Sequence, residues 1–493
     1  MQGQQDQYSE AYKRTVVLLL MTAYTFNAMD RSIISIIAQS MKLDLGLTDT
    51  QLGLLGGTAF ALLYAFGGVP IARLAERRSR VNIITFAMMA WSGLSALCGA
   101  AASFSQLLLI RAGVGLAEAG CSPPAHSLIS DYFEPSRRAS ALSIYSCGIS
   151  VGYLLAAIGG GYVAQHWGWR AACAMVGLPG LVIAVLIKIF IREPPRGQAE
   201  LQAAPLNAVS LSLAPLPRFS LRAELHELRA VGDALLADRP VLHMVLGVTL
   251  GAFAAYGFYA FVPAYFSRAF GLDYSRIGVI AGLAGGVAVG MGIVAGGCTA
   301  DALARRDARW YALVPGIGGS IALPFYLLAV TGSDWRIAAW LLATAGFFQY
   351  VSLGPTFGVV QNMVSQRRRA TATALLYIIL NVFALGCGPL FTGWVIDGFA
   401  QRDFLQHSAW RAQPGVSATS FAVACPGGVA PAKAGNYPAN ACRGTLERAT
   451  RRGILVTLLF FAWASVHYLL ASVGIARALK EAGVRNAAVR GRS

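Results

Sequence analysis

The sequence predicts an all-α membrane protein, and two observations lead to that prediction. Hydrophobic residues make up 56% of the 493 positions and charged residues only 13%, with a mean hydropathy of +0.55. Soluble domains carry about 25% charged residues, so this chain lacks the charge that a water-facing surface needs. Apolar runs of about 20 residues, the length of a helix that crosses the bilayer core, recur along the chain. We therefore expect the chain to cross a membrane many times.

Twelve spans are predicted from these apolar runs. The first six lie near 14–40, 50–75, 81–102, 105–131, 138–163 and 170–191. The second six lie near 240–267, 275–303, 310–331, 335–364, 370–397 and 452–479. Residues 1–191 would form one six-helix half. Residues 240–493 would form the other, with a long outer loop at 398–451.

The linker at 192–239 contains a predicted amphipathic helix. Its stretch "LRAELHELRAVGDALL" repeats apolar residues at helical spacing. Such a helix either lies on the cytoplasmic face of the membrane or is a solvated connection between the halves. Both interpretations stay open at this point.

Arginines predict the orientation. They cluster after alternate spans, at Arg73, Arg77, Arg78 and Arg80, at Arg137 and Arg138, at Arg305, Arg306 and Arg309, and at Arg367, Arg368 and Arg369. The turns on the opposite side carry few basic residues, which is the positive-inside pattern. We expect a bacterial inner-membrane protein with both termini in the cytoplasm and the lipid bilayer as its surroundings. Anchoring beside anionic headgroups accounts for most of the net charge of +17, so no nucleic-acid partner is expected.

Two of the eight cysteines share the predicted outer loop. Cys425 and Cys442 can form a disulfide there, because a periplasm is oxidising. The other six fall within or beside spans, where a small polarisable side chain packs well. No spacing typical of a metal site is present, and no cofactor is expected.

A short pattern occurs once in each half. "ARLAERRSR" at 72–80 and "GCTADALARR" at 297–306 both end a span and lead into a basic turn, with Glu76 and Asp301 at matching positions. A carboxylate at a helix end, followed by arginines, can hold neighbouring helices together on one side of the membrane. Simple topology signalling is the alternative. The candidate gate residues are Glu76, Arg77, Asp131, Arg137 and Asp301.

Two parallel six-span halves with this loop pattern resemble the major facilitator transporters. Within the first half, "NAMDRSI", "RAGVGLAEAGCSPPAHSLISDYF" and "REPPRG" resemble the spinster branch of that superfamily. The resemblance implies the major facilitator fold and alternating access, in a chain expected to work as a monomer. For spinster-like proteins of animals it implies export of lysolipids or sphingoid phosphates.

Four ionisable residues lie inside predicted spans of the first half: Asp30, Arg31, Arg111 and Glu118. A charge near the bilayer centre costs about 2.5–3.5 kcal/mol, so it faces the bundle interior and finds a partner. Asp30 and Arg31 point about 100° apart on one helix, so each needs its own partner. Asn27, one turn earlier, can hold Asp30. One arrangement pairs Asp30 with Arg111 and Arg31 with Glu118, and others are possible.

The predicted role of these four residues is proton coupling. Asp30 and Glu118 would take up and release protons, because water or a competing anion changes the proton affinity of a carboxylate beside an arginine. Arg111 would sense their charge or bind an anionic cargo. The alternative is a buried salt-bridge network that only fixes helix packing.

The second half offers aromatic and amide side chains instead of charges. An apolar wall opposite a charged one suits an amphipathic anion, although ordinary packing explains many of these residues equally well. The candidate cargo-binding residues are Asn27, Arg111, Tyr256, Tyr259, Gln349, Tyr377 and Asn381. In span five, "GISVGYLLAAIGGGY" has small residues four apart, which permit close helix approach. This stretch resembles the glycine-rich motif of facilitator antiporters.

These observations predict a proton-coupled secondary transporter of an amphipathic lipid-like or organic anion, acting as an exporter or antiporter. The alternative within transport is a proton symporter that imports a small organic anion such as a sugar acid. A membrane enzyme is not favoured, because Ser122 and His126 in "CSPPAHS" have no motif context that would make them a catalytic pair.

Overall fold

Helices account for nearly all of the chain that the computed structural model describes, which is residues 8–196, 221–364, 368–406, 420–430 and 436–490. Before the linker the α-helices are α1 (Glu10–Leu45), α2 (Asp49–Gly53), α3 (Ala59–Arg77), α4 (Arg80–Cys98), α5 (Phe104–Glu118), α6 (Ser122–Tyr132) and α7 (Pro135–Phe190). After it they are α8 (Leu221–Leu236), α9 (Arg239–Phe270), α10 (Tyr274–Ala281), α11 (Val289–Ala304), α12 (Trp310–Thr331), α13 (Trp335–Tyr350), α14 (Leu353–Asn362), α15 (Arg369–Ile379), α16 (Gly386–Gln406), α17 (Phe421–Ala424), α18 (Asn436–Ser472) and α19 (Ile475–Arg490).

Nine helical segments within the described residues are long and apolar enough to cross a membrane. One of them, Ser140–Phe190 in α7, contains two predicted spans. Gly168 separates these two spans, because its φ of 82° and ψ of 169° interrupt the helical conformation. Each of the twelve predicted segments coincides with helix.

The predicted outer loop at 398–451 is shorter than expected at both ends. α16 continues to Gln406, and α18 begins at Asn436. The last predicted span, at 452–479, is the later part of α18 together with the start of α19. Apolar content marks where a helix is buried in lipid, whereas these helices continue through polar sequence beyond it.

Three π-helical turns interrupt helices of the described chain. They are Leu54–Thr58 between α2 and α3, Gly282–Ala288 between α10 and α11, and Leu380–Leu385 between α15 and α16. In such a turn each backbone N–H bonds to a carbonyl five residues back. The first two turns lie in the second and eighth predicted spans, which occupy the same place in the two halves.

The described helices form two compact units. The first lies within Met1–Ile37 and Ala59–Arg218, and the second within Ala38–Thr58 and Phe219–Ser493. This division differs from the predicted halves at Ala38–Thr58, which belongs to the second unit. Within that unit the segment is held by the buried ion cluster around Asp49, described below, and by close packing of Gly53 on the backbone of Pro389.

Glycines allow helices of the first unit to lie in direct backbone contact. A Cβ atom on Gly148 of α7 would lie 2.7 Å from the carbonyl oxygen of Met21 in α1. One on Gly152 would lie 2.3 Å from the carbonyl oxygen of Thr25. No side chain fits at such distances, so the close helix approach that the spacing predicts is confirmed at these two positions.

The predicted amphipathic helix is α8, and it packs on the second unit. Val231 and Leu235 are buried in one cluster with Leu376 of α15. Arg368 and Glu227 form an ion pair beside it, with an Nε–Oε1 distance of 2.7 Å. The apolar face of α8 therefore packs on protein, and its predicted place at the membrane surface stays a prediction.

Candidate functional site

The four ionisable side chains predicted inside the first unit meet in two ion pairs. Nη1 of Arg111 donates to Oδ2 of Asp30 at 2.9 Å. Nε of Arg31 donates to Oε2 of Glu118 at 2.7 Å. Asp30, Arg111 and Glu118 are all 2% exposed or less. Of the arrangements that the sequence leaves open, the structure contains the one that joins α1 to α5 twice.

Helix geometry explains why two separate pairs form. Arg111 and Glu118 are seven residues apart on α5, so they share a face and are separated by about 10 Å along the axis. Asp30 and Arg31 are adjacent on α1 and point about 100° apart. Each residue of α1 therefore reaches a different residue of α5.

Several polar atoms at this site have no hydrogen-bond partner among the described residues. They are Nδ2 and Oδ1 of Asn27, Nη2 of Arg31, Nε of Arg111 and Oε1 of Glu118. Asn27 is buried and does not hold Asp30, which corrects that expectation. Buried polar groups are normally paired. The site therefore offers unused donors and acceptors to water, a proton or the polar part of a cargo.

Two aromatic rings of α3 complete the site. The Cζ atom of Arg31 lies 5.0 Å from the ring centroid of Phe60 and 4.4 Å from that of Tyr64. The Cζ atom of Arg111 lies 5.5 Å from the Phe60 centroid. Gly115 of α5 makes room for this arrangement, because a Cβ there would lie 2.4 Å from the carbonyl oxygen of Phe60. Sequence reasoning missed both rings, since an aromatic residue inside an apolar run resembles ordinary core.

The predicted cargo-binding residues of the second unit lie in different surroundings. Tyr256 and Tyr377 are exposed. Nδ2 of Asn381 donates to the backbone oxygen of Tyr377 at 2.8 Å, one helical turn earlier. The role of these side chains in cargo binding stays a prediction.

Gln349 and Tyr259 are the more enclosed members of that set. Gln349 is buried on α13, and its Oε1 has no hydrogen-bond partner among the described residues. The hydroxyl of Tyr259 lies 3.3 Å from that of Tyr326 on α12. A buried amide with an unused acceptor is a polar feature inside the second unit.

A second buried ion cluster lies in the second unit. Asp49 accepts from Nη2 of Arg268 at 2.6 Å and lies 2.8 Å from Nζ of Lys42. Arg268 also donates to Gln39 and Thr450, both at 2.8 Å. Lys42 and Arg268 lie at turns that carry few basic residues, so the sequence did not mark them as site candidates. Because the two residues are far apart in the sequence, no local pattern indicates that both contact Asp49.

Asp397 of α16 holds the start of α2. Its carboxylate accepts from the backbone N–H groups of Asp49 at 3.1 Å and Thr50 at 2.7 Å. The hydroxyl of Thr50 adds a third bond at 2.6 Å. A carboxylate at a helix N-terminus satisfies the free N–H groups there.

Cys425 and Cys442 are joined by a disulfide, with their Cα atoms 5.9 Å apart. The turn after Cys425 contains Gly427, whose φ is 65°. A Cβ on Gly427 would lie 2.7 Å from the carbonyl oxygen of Lys42. The cystine-linked turn therefore lies directly on the end of α1.

A family profile of the Major Facilitator Superfamily matches residues 20–389. The chain belongs to the Major Facilitator Superfamily. Among relatives of this facilitator, an MFS-type efflux pump of Mycolicibacterium smegmatis is 31% identical over 76% of this chain and 82% of the pump. The hexuronate transporter of Bacillus subtilis is 25% identical over 78% of this chain and 88% of the transporter.

One solved structure similar to this facilitator is a crystal structure of a bacterial homologue of the human lysosomal transporter spinster, in an inward-facing and unoccupied conformation. It is 29% identical, with a TM-score of 0.80, and the match covers 96% of this chain and 99% of that one. The predicted facilitator fold and the resemblance to the spinster branch are confirmed. The protein is a membrane transporter and not an enzyme.

Two of the predicted gate residues of this facilitator have ionic partners that sequence reasoning did not foresee. Asp131 pairs with Nη1 of Arg80, and Arg137 pairs with Glu10 at 3.1 Å. Arg80 is 1% exposed and also donates to Glu193 through Nε at 2.7 Å. The sequence analysis gave Arg80 only a topological role in the basic turn. Several arginines lie together there, and the sequence does not indicate which of them is buried.

The remaining gate residues are placed as follows. Arg77 is exposed. Oδ1 of Asp301 accepts from the hydroxyl of Tyr311 at 3.0 Å. The side chain of Glu76 lies outside the described part of the structure. The gate role of all five residues stays a prediction.

Glu193, just after α7, is the other partner of Arg80. Burial raises the pKa of its carboxyl group. Bonds from the backbone N–H of Val81 and the side chains of Arg80 and Ser79 outweigh that effect, so the pKa lies below its usual value. Glu193 therefore stays ionised and ties the segment after α7 to the start of α4.

Proposed function

We propose that this facilitator is a proton-coupled secondary transporter that exports an amphipathic lipid-like or other organic anion in exchange for protons. The observation that carries the proposal is the doubled ion pair between α1 and α5, with unused polar atoms beside it. Four charges inside a membrane are a costly way to fix packing. A protonated Asp30 would release Arg111 for an anion, and an anion on Arg111 would promote protonation of Asp30.

The anionic part of the cargo is assigned to Arg111, and Asn27, one turn before Asp30 on α1, is a further candidate. Nε of Arg111 and the amide of Asn27 supply donors that no described residue uses. The part that Tyr256, Gln349 and the other candidates of the second unit play stays a prediction. Protons are the coupling ion, and no resident cofactor is proposed.

A second candidate function is proton symport that imports a small organic anion such as a sugar acid. The similarity to a hexuronate transporter supports this candidate. Arg111 would then bind the carboxylate of the cargo. The two candidates share one proton site and differ in cargo and direction.

The proposal places the transporter in a bacterial inner membrane, as a monomer with both termini in the cytoplasm. The distribution of arginines between alternate connections supports this orientation.

Transport in liposomes under an imposed pH gradient tests both candidates, with lysophosphatidate and glucuronate as separate probes. We expect Asp30→Asn and Glu118→Gln to lower gradient-driven flux by more than about tenfold, within the usual range of coupling between two sites. Exchange of labelled for unlabelled probe should persist, because it needs no net proton movement. Arg111→Ala should abolish both activities.

Glu481→Gln, a change at an exposed carboxylate of α19, is the matched control and should transport like the wild type. Undiminished gradient-driven flux in both carboxylate variants would refute the proton role. Flux of glucuronate but not of lysophosphatidate would favour the symport candidate.

A further inference from the structure

Phe60 lies against both arginines of the ion-paired site. Its ring centroid is 5.0 Å from Cζ of Arg31 and 5.5 Å from Cζ of Arg111, and its side chain is 2% exposed. Tyr64, one turn along α3, stacks on Phe60 at 5.4 Å between ring centroids and lies 4.4 Å from Cζ of Arg31. The guanidinium groups thus have two kinds of neighbour: carboxylates, which can be neutralised by protons, and rings, which cannot.

The ring matters most when the carboxylates are protonated. The face of an aromatic ring attracts a cation, and more strongly where water is excluded. When Asp30 and Glu118 gain protons, Arg31 and Arg111 lose their countercharges. A buried cation without a partner is strongly unfavourable. The rings of Phe60 and Tyr64 stay in contact with the guanidiniums and continue to stabilise their positive charge.

We propose that Phe60, assisted by Tyr64, is a positioning residue that stabilises Arg31 and Arg111 after their carboxylates are protonated, and so sets the pH at which the site takes up protons. This inference rests on the proposed function and adds to it a residue that carries no proton itself. The proton passes from water to Asp30 or Glu118 and back to water. The ring changes only the relative free energies of the two protonation states.

The direction of the effect follows from that balance. A ring with a less negative face attracts the guanidiniums less. This loss raises the free energy of the state with neutral carboxylates more than that of the ion-paired state, because in the ion-paired state the carboxylates still stabilise the guanidiniums. Proton uptake then needs a lower pH. We expect loss of the aromatic face at Phe60 to lower the midpoint of proton uptake by about one pH unit, equivalent to about 1.4 kcal/mol.

Other titratable groups face the site from every element around it, and all of them stay in place in the variants below. They are Tyr24 of α1, Tyr64 of α3, Cys98 of α4, Cys121 before α6, and Tyr145 and Cys173 of α7. A change in midpoint on altering Phe60 alone is therefore not caused by removing a titratable group.

The test measures protonation directly, by infrared spectroscopy of the purified full-length protein across pH. The band to follow is the carboxyl C=O stretch that disappears in Glu118→Gln or Asp30→Asn. Phenylalanines with one, two and three ring fluorines are placed at position 60, because fluorine weakens the negative ring face with little change in size. The midpoint should fall stepwise along this series, fall by about one unit in Phe60→Leu, and return in Phe60→Tyr.

Phe66→Leu is the control, since Phe66 lies on the same helix and is exposed. Its midpoint should equal that of the wild type. An unchanged midpoint along the fluorine series, or no titrating carboxyl band from Asp30 or Glu118, would overturn the inference. The fluorinated side chains keep the test decisive if Phe60→Leu does not fold.

The same proteins in liposomes separate this inference from the proposed function. A wild type without pH-driven flux would refute proton-coupled transport, whatever the infrared midpoints are. A wild type with pH-driven flux whose pH dependence is the same in the fluorine series would refute the role of Phe60 and leave the proposed function standing.

Discussion

At the scale of single residues, Arg80 joins three segments of the first unit. It donates to Asp131 in α6, to Glu193 after α7, and through Nη2 to the backbone oxygen of Pro194 at 3.0 Å. Arg80 itself begins α4. A guanidinium with five donors suits such a junction, whereas a lysine ammonium cannot bond in three directions within one plane.

The lowered pKa of Glu193 gives a stability prediction with a definite sign. Because the folded value lies below the usual one of about 4.3, the stabilisation is fully present above that pH and is lost as the pH falls through the folded value. We expect Glu193→Gln to lower the free energy of unfolding by about 1–2 kcal/mol at pH 7. Thermal unfolding in detergent at several pH values should show the difference from wild type shrinking in acid.

Glu227→Gln is the matched control for that prediction. Its ion pair with Arg368 has the same 2.7 Å distance, but both side chains are well exposed. Surface pairs contribute about 0–1 kcal/mol, so the change should be small at every pH. An equal loss of unfolding free energy in Glu193→Gln and Glu227→Gln would contradict the prediction that the more buried ion pair contributes more to stability.

Some residues of the candidate site and of the Arg80 junction could be predicted from the sequence, and others could not, for physical reasons. Asp30 and Arg111 stand out because a charge in an apolar run is rare and must find a partner. Arg80 stands among several arginines, and only the fold determines which of them is buried. Phe60 carries no charge, so its contact with two cations depends on the approach of α3 to α5, which no local pattern encodes.

At the scale of elements, α1 is in backbone contact with α7 in the turn before Asp30 and Arg31. Gly152 lies against the backbone of α1, with the nearest atom 2.3 Å from the position a Cβ would take. Gly159, two turns further along α7, has only Met175 nearby, at 3.8 Å. The two glycines share a helix and differ in what a methyl group would meet.

Substituting alanine at these positions tests the packing. Gly152→Ala should lower the free energy of unfolding by about 1–3 kcal/mol, because the new methyl group pushes α1 and α7 apart. Gly159→Ala should leave stability unchanged or slightly higher, since alanine favours helix over glycine by up to about 1 kcal/mol. Thermal unfolding in detergent measures both. Equal stability of the two variants would contradict this prediction, because it would mean that α1 can shift to admit the methyl group at position 152 without a loss of stability.

Element positions were more predictable than element ends. Every predicted span coincides with helix, because long apolar runs are a strong signal. The start of α18 at Asn436 was missed, since its first turns are polar and lie beyond the apolar run. The twelve crossings themselves stay a prediction.

At the scale of the whole molecule, the second unit includes a segment from the first part of the chain. Ala38–Thr58 belongs to it, held by the cluster around Asp49 and by the carboxylate of Asp397. Hydropathy places domain boundaries at polar linkers. Buried ion pairs, in contrast, join segments that are far apart in the sequence, and hydropathy does not reveal them. The two compact units therefore differ from the halves that hydropathy predicts, and those halves stay a prediction.

The predicted orientation has a direct test on two turns of the second unit. Ser333 lies between α12 and α13, and Asp307 lies between α11 and α12, both exposed. One predicted crossing, α12, separates them, so we expect them on opposite sides of the membrane. With the free cysteines replaced by alanine, Ser333→Cys should react with a membrane-impermeant thiol reagent in intact cells, and Asp307→Cys only after permeabilisation. The reverse pattern would invert the topology.

The π-helical turns Leu54–Thr58 and Gly282–Ala288 have a mechanical consequence. Each turn contains about one residue more than an α-helical turn, so tightening it would rotate the rest of the helix by about 100°. The helices beyond these turns end in the two copies of the basic loop pattern. Such a rotation would change which face the helix end with the basic loop pattern turns towards its neighbours, while the start of the helix stays in place.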